Sequence, residues 1–207
     1  RRASEGSFFV KAGDLELTIL QKLIDDEIVG YETDSRGYFI THDIYEEWAL
    51  ERFIESTFRL QGVSESFYTN IGSSLPIRRA FRHWLTDKLI VDINAVRSLV
   101  ETSTSSPAIE SHWQDEVLVS ILLSEHSKDL LELFEEKLLE NNAQLLVKVT
   151  FLLRIACKEI DENTFKTFGF GRITGISIQT LFTMPKGSGW NYIIDFINRN
   201  KEKLGLK

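Results

Sequence analysis

The chain has 207 residues and a formal net charge of −7, with 43% apolar and 27% charged residues. Such a chain buries a real core, in one large or two small domains, and fourteen Phe with four Trp exclude a disordered polymer. The acidic balance opposes broad nucleic-acid binding, and no apolar run reaches the roughly 18 residues of a membrane span. Cys157 is the lone cysteine, so an internal disulfide is excluded and a reducing, cytoplasmic location is expected. No signal peptide is recognisable, and the start ArgArgAlaSer without Met points to an excised piece of a larger protein.

Residues 1–13 read as a short strand or an irregular lead-in. Leu17, Leu20, Ile24 and Ile28 recur at helical spacing, with Asp14 as a cap. A β-hairpin is predicted to join about 28–32 to 37–41, because Asp34, Ser35, Arg36 and Gly37 supply turn chemistry between β-formers. A helix follows from Asp43 to about Leu60, capped by Thr41 or Asp43, with Glu46 and Glu47 complementing its dipole. Tyr45, Ala49 and Phe53 mark one apolar stripe, and Leu50, Ile54 and Phe58 another. Trp48 is predicted to be a buried joint in this helix, sharing a face with Ile44.

After Gly62 the texture is helical, with segments expected near 64–71, 76–89, 92–102, 109–125, 128–140 and 142–159. Pro76 suits a first turn, and Ser127 a cap. The run 145–157 is apolar nearly all round and predicts a central buried helix. Short connections imply antiparallel neighbours in an irregular array without a strict repeat. Residues 161–187 interrupt it with a Gly/Phe-rich loop, and Ser188 introduces a last helix carrying Trp190, Ile193, Ile194 and Ile197. The fold class expected is mainly α: a partial winged-helix module over 1–60, then a helical array over 61–207.

Helix, hairpin, helix is the tail of a winged-helix unit. The stretch Phe39, Ile40, Thr41, His42, Asp43, followed by Glu46, Glu47, Trp48, Ala49 and Leu50, resembles the last winged-helix entry of bacterial STAND-type signalling NTPases. These are relatives of the NACHT and AAA-like switch ATPases. Residues 20–30, 74–85 and 185–190 are similar to flanking segments of the same family. The resemblance implies a non-catalytic coupling segment, with a role in phage defence. Its partners would be the upstream NTPase core of the same polypeptide and a protein trigger. ATP and Mg would be bound by that core and not by this chain. In the family, a residue placed like His42 approaches the nucleotide in the inactive state, which implies a sensor role for it.

Taken as residues alone, the candidate sites have plainer readings. His42 and Asp43 are acid–base types, but adjacent helical side chains diverge and no Ser or Cys nucleophile accompanies them. The four histidines at 42, 83, 112 and 126 lack zinc spacing, and no metal site is expected. The 185–189 run ProLysGlySerGly fails the P-loop pattern, since Lys186 precedes Gly187. No enzyme activity is therefore expected of this chain. The 168–172 run PheGlyPheGlyArg reads as loop packing. Arg78, Arg79 and Arg82, with His83, form the densest basic group, a candidate contact for a partner or a phosphate. Arg78 and Arg82 share a face at i and i+4. A winged-helix regulator that binds nucleic acid is the alternative. The acidic run at 25–27, with Glu32 and Asp34, speaks against it, so neither duplex DNA nor a membrane is an expected partner.

Overall fold

The computed structural model describes residues 3, 6–13, 15–161 and 183–205. Among them the fold is mainly α-helical, with two small antiparallel hairpins, as a partial winged helix followed by a helical array requires. The chain forms two compact units, residues 1–84 with 105–110, and residues 85–104 with 111–207.

In the first unit, α1 (Leu17–Asp25) leads into β1 (Val29–Glu32) and β2 (Gly37–Ile40). Asp14 lies outside the described residues, and Glu16 stands at the N-cap without a side-chain bond. The register sets Val29 opposite Ile40 and Gly30 opposite Phe39. A Cβ on Gly30 would stand 2.4 Å from Phe39 Cζ, so the bare glycine is what lets the ring lie across the ladder. The lead-in contributes a single bridge, Val10 to Tyr38, with N–H to carbonyl distances of 2.9 and 2.8 Å.

Thr41 does not cap the next helix. Its hydroxyl donates to the carbonyls of Glu27 (2.6 Å) and Ile28 (3.1 Å), tying the exit of β2 back to the end of α1. His42 is the N-cap of α2 (Asp43–Gln61) and makes no side-chain cap bond. Only one of the two expected stripes is inward. Ile54 and Thr57 are buried, with Leu50 and Phe58 beside them, whereas Ala49 and Phe53 are exposed.

The core of this unit is aromatic. Phe58 on α2 lies 5.6 Å from Phe67 on α3 (Glu65–Ile71) and 5.1 Å from Trp84 on α4 (Leu75–Val91), as ring centroids. Phe81 completes the cluster, 5.5 Å from Trp84. Edge-to-face pairs of this kind contribute about 0.5–1.5 kcal/mol each beyond the burial of their area. Ser64 caps α3 by accepting from Phe67 N–H at 3.2 Å. Gly62 ends α2 at φ 63°, a conformation that costs glycine little. Pro76 sits in the first turn of α4.

The second unit contains α5 (Ile93–Ser105), α6 (Ser111–Leu123), α7 (Ser127–Glu132), α8 (Glu135–Ala156), β3 (Lys158–Ile160), β4 (Thr183–Pro185) and α9 (Gly189–Arg199). The central helix is α6. Trp113, Glu116 and the whole run Val117–Leu122 are buried. The run 145–157, expected in that place, buries Leu146, Val149, Leu152, Leu153 and Cys157 but leaves Val147, Phe151 and Ile155 exposed. Apolar content alone did not distinguish the two segments. What distinguishes them is that the inner face of α8 meets α6, β3 and α9.

Residues 128–140 are not one helix. The chain turns at Leu133–Phe134, whose N–H groups bond the carbonyls of Leu130 and Leu131 at 3.0 Å each. Ser127 is not a cap, since His126 occupies that position. Within α8, Asn141, Asn142 and Ala143 adopt φ of 48°, 56° and 58°, which breaks the helix where the sequence places a boundary. The second hairpin, with Ile160 opposite Thr183, was not foreseen. The Gly/Phe-rich loop expected at 161–187 lies mostly outside the described residues, as does the 168–172 run. Ser188 stands at the N-cap of α9 but makes no cap bond.

Candidate functional site

The entry to α2 carries the residues singled out by sequence. His42 and Asp43 are both exposed, and His42 meets Tyr45 edge-on with ring centroids 5.8 Å apart. They share no bond that would make them an acid–base pair. Among the described residues no cluster of His, Cys, Asp or Glu is arranged to hold a metal ion, and no helix is long and apolar enough to cross a membrane.

One turn further on, the structure overturns an expectation. Trp48 is 56% exposed and Ile44 50% exposed, so the joint predicted to be buried is a surface. The inner face of α2 is set by Ile54 and its neighbours, and Trp48 lies away from it. Trp48 does meet Tyr45, 6.2 Å between centroids.

Beside Trp48 is an open niche of about 390 Å³ lined by Glu51, Arg52, Glu55 and Trp84. Its floor is fixed by polar contacts that sequence spacing does not reveal. Glu55 Oε2 accepts from the buried Trp84 indole N–H at 2.7 Å, across 29 residues. The other oxygen, Oε1, accepts from Arg59 Nε at 2.7 Å. A buried indole N–H needs such a partner, and Glu55 supplies it while both residues wall the niche. The surface thus offers an exposed indole face, carboxylates and a guanidinium.

The basic group on α4 divides differently from the expected stripe. Arg78 and Arg82 are half-buried and engage neighbouring groups. The exposed pair is Arg79 and His83, also i and i+4. Ile77, Ala80, Phe81 and Trp84 point inward as expected.

The turn at 185–189 is a packing device. Gly187 adopts φ 87°, and a Cβ there would stand 2.5 Å from the Leu122 carbonyl oxygen. Lys186 N–H donates to the Cys157 carbonyl at 3.0 Å, and Ser188 Oγ donates to the Ser124 carbonyl at 2.6 Å. The Trp190 indole also donates to the Cys157 carbonyl, at 2.7 Å. The turn is therefore engaged in holding α9 against the end of α6.

Glu135 is a carboxylate whose titration its neighbours displace. The Tyr192 hydroxyl, donating at 2.6 Å, holds it below the usual carboxylate range, and Arg199 at 2.8 Å adds to the effect. Burial first, and then that same bond, push Tyr192 well above its ordinary value. Nothing reactive adjoins this trio, whose effect is to pin α9 to the start of α8. No family model and no curated protein matches the chain.

Proposed function

We propose that the chain is a non-catalytic coupling and interaction segment of a larger bacterial STAND-type signalling ATPase, of the kind used in phage defence. The partial winged helix relays the nucleotide state of an upstream core, which binds ATP and Mg. The helical array links it to a sensor. The observation that carries this reading is the exposed outer face of α2, Ile44 and Trp48 beside the Glu51–Glu55 niche, directly after the exposed His42. An exposed Trp and Ile on one helix face, beside an exposed Arg, give a partner apolar area and an anchor to bind. On this reading His42, exposed at the N-cap of the same helix, would meet an upstream core docked on α2.

The reading frame upstream provides the first test. A Walker A motif within a few hundred codons is expected, and its absence would sink the proposal. In the full polypeptide, hydrogen exchange over residues 42–55 should then differ between ADP and a non-hydrolysable ATP analogue. Identical exchange in the two states would remove the relay role. The rival, a DNA-binding regulator, has only the exposed Arg79 and His83 pair in its favour.

A further inference from the structure

A groove of the second unit lies far along the sequence from the α2 surface and takes no part in the function proposed above. It has a volume of about 900 Å³ and runs beside the second part of α8. Leu146, Val147 and Phe151 line it from α8, and Ile197 and Leu204 from the α9 end of the chain. Val147, Phe151 and Ile155 are 66%, 57% and 61% exposed. Spaced at i, i+4 and i+8, they form one row about 12 Å long at 1.5 Å per residue, in which Val147 and Phe151 line the groove and Ile155 extends the row past its lining. That is the length of two turns of a docked helix, whose anchors recur at matching intervals.

The charges at this groove have one sign. Arg154 and Lys203 line it, and among the described residues no acidic side chain does. Neither cation forms an ion pair with another described residue. Glu135 lies within the field of Lys203, but its carboxylate is already taken by Tyr192 and Arg199. The chain's own residues 162–182 carry Glu162 against Lys166 and Arg172, so their charge does not complement the groove.

We infer that this groove is a docking site for an acidic amphipathic helix of a partner protein. Apolar side chains of the partner would lie along Val147, Phe151 and Ile155. Its flanking Asp or Glu would face Arg154 and Lys203. The site belongs to the second unit and does not depend on the STAND reading or on the α2 surface.

The test uses the 207-residue chain and a labelled 15-residue model helix with Leu at i, i+4 and i+8 and Glu at the flanking positions. A control peptide carries Lys in place of each Glu. Fluorescence anisotropy should show the acidic peptide binding at least tenfold tighter than the control at about 50 mM salt. The preference should shrink at about 500 mM, where the Debye length is a few ångström. Arg154→Glu with Lys203→Glu should invert the preference, and Phe151→Ala should weaken both peptides. All three residues are exposed or line the groove, so the fold should survive, which circular dichroism checks. Inversion in a folded variant cannot arise from damage to the structure. Equal binding of the two peptides, no binding of either, or indifference to the charge reversal would overturn the inference. So would a concentration-dependent dimer that Phe151→Ala abolishes, because the groove would then be covered by a second copy.

Discussion

Phe67 and Trp48 make a decisive pair, because both are large aromatics in the same unit and only one is inside. Phe67 has no accessible surface and touches Phe58, Tyr68, Phe81 and Trp84, at centroid distances from 5.0 to 6.5 Å. Truncation to Ala removes the transfer free energy of the ring and leaves a cavity that four rigid neighbours cannot fill. The expected cost is about 3–5 kcal/mol. With a urea slope of about 1–3 kcal/mol/M, the midpoint of this unit should fall by about 1 M or more. Trp48→Ala removes a ring already more than half in water, and its midpoint should move by no more than about 0.5 kcal/mol equivalent. Far-UV circular dichroism in a urea series, read for both variants and the parent chain, measures the contrast. Equal losses for the two variants would refute the placement of Trp48 on the surface, and with it the main support for a docking role of α2.

Four further outcomes are expected. Gly187→Ala should destabilise the second unit by well over about 1 kcal/mol, since it combines a φ of 87° with overlap on the backbone of Leu122 and Leu123. Gly62→Ala, at φ 63° in open space, should cost only about 1 kcal/mol, and thermal melts compare the two. Glu135→Gln should lose about 0.5–1.5 kcal/mol at pH 7. The carboxylate is held below its ordinary value, so its contribution exists above about pH 4.3 and fades as pH falls through the folded value. Parent and variant should therefore converge once the pH has fallen below the folded value, and a gap that persists in strong acid would count against the pairing. Tyr192 has the opposite sign. Its contribution is present below about pH 10 and is lost on further alkalinisation, so Tyr192→Phe should flatten that limb of the stability curve. Finally, the chain should give no mobility shift with duplex DNA at about 150 mM salt, given its charge of −7. A salt-dependent shift lost in Arg79→Glu/His83→Glu would promote the regulator reading.

The hairpin and most helix positions were legible because turn residues and 3.6-residue spacing act locally. Gly37 and Arg36 mark the hairpin turn whatever surrounds them, and Pro76 and Gly62 punctuate helices by backbone geometry alone. Burial was less legible, since it depends on which neighbours arrive. The 145–157 run and α6 are both apolar, and only the packing of the unit puts Val117–Leu122 inside while leaving Val147, Phe151 and Ile155 in water. Trp48 was misplaced for a related reason. A Trp on an amphipathic helix is assigned inward by default, but Ile54 and Phe58 set the inner face roughly a quarter to a third of a turn away. The Glu55–Trp84 bond spans 29 residues and has no periodic signature. The second hairpin pairs short segments separated by residues 161–182, so no adjacent turn announced it.

That second hairpin has an engineering consequence. The Cys157 carbonyl receives both the Lys186 amide and the Trp190 indole, so one backbone oxygen holds the end of α8 to the end of β4 and to the first turn of α9. No side-chain substitution removes that acceptor, whereas Trp190→Phe deletes the indole donor and leaves the amide bond in place, so the clamp at the base of the hairpin can be loosened in a single step without altering the paired strands.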